Sequence, residues 1–76
     1  MSEARLFVLQ RDQDISGISG TGIVADGVQW PNGQVTLCWR GEHSSVAVWP
    51  CMSDAMWCHG HDGATKAVFD DGEIWV

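Results

Sequence analysis

"GIVADGVQWPNGQVTLCWR", residues 22–40, carries the segment whose reading decides the fold. Asn32-Gly33 supplies the positive φ angle that a tight hairpin turn demands, with Pro31 ahead of it. Residues 23–30 read as the incoming strand and residues 34–40 as the outgoing one. In the outgoing segment Val35, Leu37 and Trp39 alternate with Thr36, Cys38 and Arg40, so one face is apolar and the other mixed. Asp26-Gly27, inside the incoming segment, predicts a bulge or sharp bend there.

On the N-terminal side, residues 5–11 (RLFVLQR) are rich in large apolar side chains and stop at Asp12, as a strand would. Between them lies "RDQDISGISGTG", residues 11–22, whose aspartates, hydroxyls and glycines are loop chemistry. Loops of about a dozen residues exceed what a compact domain needs and are often functional. Ile15 and Ile18 are expected to pin this one to the body. On the C-terminal side, Gly41-Glu42-His43-Ser44 turns the chain into a strand at residues 45–49, ended by Pro50. Residues 53–58 read as a short helix with Ser53 as N-cap, Asp54 in the first turn and Gly60 near the C-cap. Residues 58–65 form a loop into a strand at residues 66–69, and Asp71-Gly72 can turn the chain into a short tail strand at residues 73–76.

The order predicts a mainly β fold: a small, strongly curved antiparallel sheet or SH3-like barrel of about five strands, with one short helix before the last strand. Residues 1–76 are expected to form a single domain, and chains this short bury only about 60% of their unfolded surface. Five tryptophans and no tyrosine supply aromatic bulk to offset the small size. Alternation turns Trp39 inward, while Trp30 at the hairpin and Trp75 in the tail are expected to be exposed.

The net charge is −6, and Arg5, Arg11, Arg40 and Lys66 are the four basic side chains. Duplex nucleic acid and anionic membranes are therefore disfavoured as partners, because both need clustered cations. No leader or membrane span is expected, and three cysteines (Cys38, Cys51, Cys58) argue for a reducing, cytoplasmic setting rather than a disulfide scaffold.

The chemistry-bearing segment is "CHGHDGAT", residues 58–65. Cys51, Asp54, Cys58, His59, His61 and Asp62 are all acceptable zinc ligands, but no CxxC pair is present and alternation separates Cys58 from the histidines. Cys51 and Cys58 read more simply as small residues holding the helix down. Cys58 with His59, or Ser19 with a histidine and an aspartate, could nominally form a nucleophilic set. No nucleophile elbow or cysteine signature supports that, so no enzymatic activity, cofactor or metal is assigned. A binding rim fits better. The run from Ser16 to Gly22 offers hydroxyls and approachable backbone N–H groups, which can hold an anion without lysine. Arg11 can add a guanidinium, His59 and His61 can donate from the opposite loop, and Trp49 or Trp57 can stack on a planar base. The candidate ligand-binding residues are Arg11, Asp12, Asp14, Ser16, Ser19, Thr21, His59, His61, Asp62 and Thr65. The bland alternative is that Asp12 and Asp14 cap turns and His61 locks its own loop.

The blocks "RDQDISGISGTGIVADGV", "NGQVTLCWRGEHSSVAVWP" and "HGHDGAT" resemble a group of small proteins from actinobacteria and their phages, which carry RDxDxSGxSGTGxVAxGV, DGxVxLRW and HGHxGxT. The similarity runs from about Phe7 to Phe69, and the long first block is the specific one. Cys38 stands where the group more usually has arginine, Asn32 replaces aspartate in the turn, and the tail beyond Asp70 is extra. The resemblance implies a bacterial or phage-encoded cytosolic protein and implies no activity. The resulting expectation is a non-enzymatic module that holds a small anionic or nucleotide-like ligand, sequestering a host signal as an anti-defence protein. The alternative is an acidic, tryptophan-bearing inhibitor or adaptor of a host protein, and a further one is a zinc-stabilised structural protein. So small a β domain with open edges is also expected to self-associate as a homo-oligomer.

Overall fold

The computed structural model describes residues 3–12, 22–41, 44–59 and 64–75. In chain order the elements are β1 (Arg5–Arg11), β2 (Gly22–Gln29), β3 (Val35–Trp39), β4 (Val46–Trp49), α1 (Met52–His59), β5 (Thr65–Phe69) and β6 (Ile74–Trp75). All six strands join one antiparallel sheet in the order β4-β3-β2-β1-β5-β6. The sheet is mainly β architecture as the sequence predicts, but it stays open: β4 and β6 are its edges and do not meet to close a barrel.

Two of its turns share one construction. Gly33 donates its N–H to the Trp30 carbonyl at 2.9 Å, and Trp30 donates to the Gln34 carbonyl at 2.8 Å. The β5–β6 turn repeats this with Gly72 to Phe69 at 3.0 Å and Phe69 to Glu73 at 2.8 Å. In each, a side-chain oxygen (Asn32 Oδ1, Asp71 Oδ1) accepts the backbone N–H two residues on, at 3.0 Å. The φ values of 93° at Gly33 and 95° at Gly72 explain why both turns end in glycine. Asp71-Gly72 thus does build the final strand.

Registration places side chains in rows across the sheet. One face carries Arg5-Gln29-Val35-Trp49, then Phe7-Gly27-Leu37-Ala47, then Leu9-Ala25-Trp39, with Phe69 beside Phe7 and Ala67 beside Leu9. This face is the core: Phe7, Leu9, Ala25, Val35, Leu37, Ala67 and Phe69 are buried on it. The helix closes over the same core through Met52, Ala55 and Met56, an i, i+3, i+4 stripe. It begins earlier than the sequence suggests. Cys51, not Ser53, precedes the first helical residue, and the Cys51 carbonyl accepts the Ala55 N–H at 3.3 Å. The helix also ends later, so His59 belongs to its last turn rather than to the loop.

The irregularity foreseen at Asp26-Gly27 sits elsewhere. Pairing is continuous from Arg5↔Gln29 to Leu9↔Ala25, then jumps to Gln10↔Ile23, leaving Val24 as the extra residue. Gly27 has a different reason to be glycine: the tip of the Phe7 ring (Cζ, Cε1, Cε2) occupies the space beside it, and a Cβ there would overlap the ring. Gly27→Ala is therefore expected to lower stability by about 2 kcal/mol or more, with a fall of about 10 °C in Tm in thermal denaturation. Adding Phe7→Leu should recover part of that loss, since the second change removes the clashing ring.

Candidate functional site

Site chemistry gathers at the end of the sheet where β1 finishes. Arg11 pairs in register with Gly22 on one side and Thr65 on the other. Its side chain is 3% exposed, and Nε donates to Thr65 Oγ1 at 2.8 Å, with Thr65 itself fully buried. Strand parity explains this placement: Arg11 follows Phe7 and Leu9 on the inward face, so the guanidinium enters where an apolar side chain would otherwise go. The ion pairs among the described residues are Arg5–Asp71, Arg5–Glu73, Arg40–Asp26 and Lys66–Asp12, and Arg11 takes part in none of them.

An aromatic group adjoins the guanidinium. Arg11 Cζ lies 6.0 Å from the Trp39 ring centroid, at the outer limit of a cation–π contact. Trp39 meets the His59 imidazole at 4.9 Å and 66°, and Trp49 meets it at 5.4 Å and 83°, both edge-on. His59 reaches these indoles because position 59 continues the helical stripe of 52, 55 and 56 by one further turn. Trp49 Nε1 is buried and has no hydrogen-bond partner among the described residues. A buried donor left in that state costs about 1–3 kcal/mol, so it marks a place where a group that accepts a hydrogen bond would be stabilised.

Of the residues singled out from the sequence, Arg11 and Thr65 are bonded to each other, and His59 stands beside Trp39 and Trp49. Asp12 is exposed; its N–H donates to the Ala64 carbonyl at 2.7 Å and its carboxylate is 4.0 Å from Lys66 Nζ. Asp14, Ser16, Ser19, Thr21, His61 and Asp62 lie outside the described residues, as do Ile15 and Ile18. What is described is where their segments are tied. The serine-glycine segment leaves at Asp12 and returns at Gly22, and the histidine-bearing segment ends at Ala64, which Asp12 holds directly.

Trp39 was read from the sequence only as core. Its half-buried position between Arg11 and His59 became visible through sheet register, which alternation alone does not supply. Trp57, considered as a stacking partner, points the other way and is 89% exposed. Cys58 is exposed and Cys51 half-buried, so Cys58 does not anchor the helix. Among the described residues, no three of His, Cys, Asp and Glu come together as metal ligands.

A shallow cavity of about 280 Å³ lies at the opposite end of β1, lined by Ala4, Arg5, Leu6, Phe69, Asp70 and Asp71. Its charged groups are engaged with one another: Arg5 bonds Asp71 at 2.9 Å and Glu73 at 3.0 Å, and stacks 4.0 Å over Phe69. The Glu73 hydrogen bond holds the Arg5 guanidinium above its ordinary pKa, and the Glu73 backbone N–H together with Arg5 holds Asp71 below the usual carboxylate range. This is a closed surface network, whereas the Arg11 end presents a buried guanidinium that takes part in none of the ion pairs among the described residues.

The model of the Acb5 phage protein family matches residues 4–71, and the chain belongs to that family. No curated protein and no solved structure matches it significantly.

The Arg11–Thr65 bond carries a checkable consequence for stability. Thr65→Val keeps the shape but removes the acceptor from a buried guanidinium, and should cost about 1–3 kcal/mol in chemical denaturation. Thr65→Ser retains the hydroxyl and should cost clearly less.

Proposed function

We propose that this member of the Acb5 phage protein family is a small non-enzymatic binding module that holds an anionic, nucleotide-like ligand at the Arg11 end of its sheet. The observation that carries the reading is the buried Arg11 guanidinium, in no described ion pair, beside the Trp39 indole, which the His59 imidazole meets edge-on. A guanidinium supplies forked donors that suit a phosphate, and aromatic faces suit a base. The described ends of the serine-glycine segment (Asp14, Ser16, Ser19, Thr21) and of the histidine-bearing segment (His61, Asp62), at Asp12, Gly22 and Ala64, lie at this end, which supports assigning those six residues to the ligand as well. The Acb designation hints at anti-CBASS action. Capture of a host signalling nucleotide is the form of anti-defence that this arrangement suits, in the host cytoplasm.

A second reading has one observation in its favour: Trp57, 89% exposed on the helix, is the kind of anchor that protein interfaces use. On that reading the protein blocks a host defence protein.

Calorimetric titration with cyclic dinucleotides and with linear nucleotides separates the two. Wild type is expected to bind one class, gaining about 2.7 kcal/mol of stability at a 100-fold excess over Kd. Arg11→Lys and His59→Ala, each verified as folded, should weaken binding tenfold or more, while Trp57→Ala leaves it unchanged. Mass spectrometry should recover the nucleotide intact. Equal binding by wild type and both site variants removes the site, and a cleaved nucleotide removes the non-enzymatic assignment.

A further inference from the structure

Among the described residues, the helix covers one face of the sheet and no element covers the other. That outer face has its own rows: Leu6-Val28-Thr36-Val48, then Ile74-Val68-Val8-Asp26-Cys38-Val46, then Lys66-Gln10-Ile23. Leu6, Ile23, Val46, Val48 and Ile74 are exposed there, at 42% to 66%. Trp30 joins them, because its Nε1 donates to Thr36 Oγ1 at 2.8 Å and lays the indole along this face, 44% exposed. The partly buried Val8, Val28 and Val68 fill the space between. A contiguous apolar surface of this kind on so small a chain marks an interface.

We propose that this face is a self-association surface, on which two copies of the chain stack sheet against sheet as a two-fold dimer with Trp30 as an anchor on each side. Three observations select a second copy as the occupant. The first is charge. The protein carries −6, yet the strand positions of this face contribute only Asp26 and Lys66, and Arg40 neutralises Asp26 through two bonds of 2.9 and 2.8 Å. That hydrogen-bonded pairing keeps the Asp26 carboxyl below its ordinary range. The face therefore presents no net negative charge to a copy of itself, and no anionic surface with which to attract a basic partner.

Area is the second. Strands about 4.8 Å apart and residues about 3.3 Å apart give the 31 strand residues a flat footprint of about 500 Å². Side-chain relief and the overlying Trp30 enlarge it toward the roughly 600 Å² per partner at the lower end of stable interfaces. The third is supply. None of the described elements covers these residues, and a face-to-face stack of two sheets about 10 Å apart is the ordinary way such a surface is buried.

Light scattering coupled to size exclusion tests this. Each chain is 8.3 kDa, so wild type is expected at 2 × 8.3 = 16.6 kDa. Leu6→Lys, on the central strand, separates face stacking from pairing at the β4 edge. Lysine also reduces the net negative charge, so dissociation cannot be ascribed to overall repulsion. Leu6→Lys and Val48→Lys should each elute as 8.3 kDa monomers with unchanged circular dichroism. Trp30→Ala should weaken the dimer about 30-fold. Trp57→Lys, on the helix over the other face, should leave the dimer intact. A wild type that stays monomeric across a concentration series overturns the proposal. So does a dimer that survives both lysine substitutions, or one that only Trp57→Lys dissolves. If Leu6→Lys unfolds, the outcomes for Val48→Lys and Trp30→Ala decide.

Discussion

The contact on which the rest of the structure depends is the one between Phe7 and Gly27. β1 is flanked by β2 and β5, so its inward side chains Phe7, Leu9 and Arg11 must be accommodated on both sides at once. Phe7 fits because Gly27 leaves its place in the neighbouring strand empty, and Phe69 meets the ring at 5.1 Å from the other side. A strand can slip only by whole residues, and a slip of one would put every apolar side chain on the wrong face. The ring and the vacancy beside it therefore fix the register. That same register, passed through the extra residue at Val24, delivers Arg11 opposite Thr65 and Gly22.

Much of this was written in local sequence. Alternation in residues 34–40 and the two turns ending in glycine gave the strands and their antiparallel sense, because both signals depend on neighbours one to four positions apart. Gly27 was read as a bulge since local sequence shows only the missing side chain; its cause is an aromatic ring from another strand. The open sheet was equally hidden. Whether six short strands close depends on the edges β4 and β6 meeting, and no local pattern encodes the distance between them.

The candidate site was legible to a similar depth. Arg11 was visible as a cation ending an apolar strand, and Thr65 as a hydroxyl at the end of a loop, although it is the first residue of β5. Their bond was not, because it spans 54 positions in sequence and needs the β1–β5 pairing to exist. His59 was singled out for the right chemistry but assigned to a loop. One more helical turn instead carries it onto the indoles of Trp39 and Trp49. Trp39 was missed as a site residue for the reason that made it a good core residue: inward alternation says that a side chain is covered, not by what.

The two faces of this sheet solve different problems with one set of strands. On the inner face apolar rows give way, at the end of β1, to a guanidinium and a hydroxyl in surroundings largely withdrawn from water. In such surroundings a buried cation without a counter-charge is costly, and it would attract an anion more strongly than an exposed one. The outer face inverts that arrangement, with apolar side chains facing solvent and its carboxylate neutralised by Arg40. The one helix among the described residues covers only the inner face of the sheet. Stacking two copies through the outer face would bury that surface while leaving both Arg11 ends on the far side of each sheet. Self-association and ligand capture are thus compatible on geometric grounds, since neither uses the residues of the other.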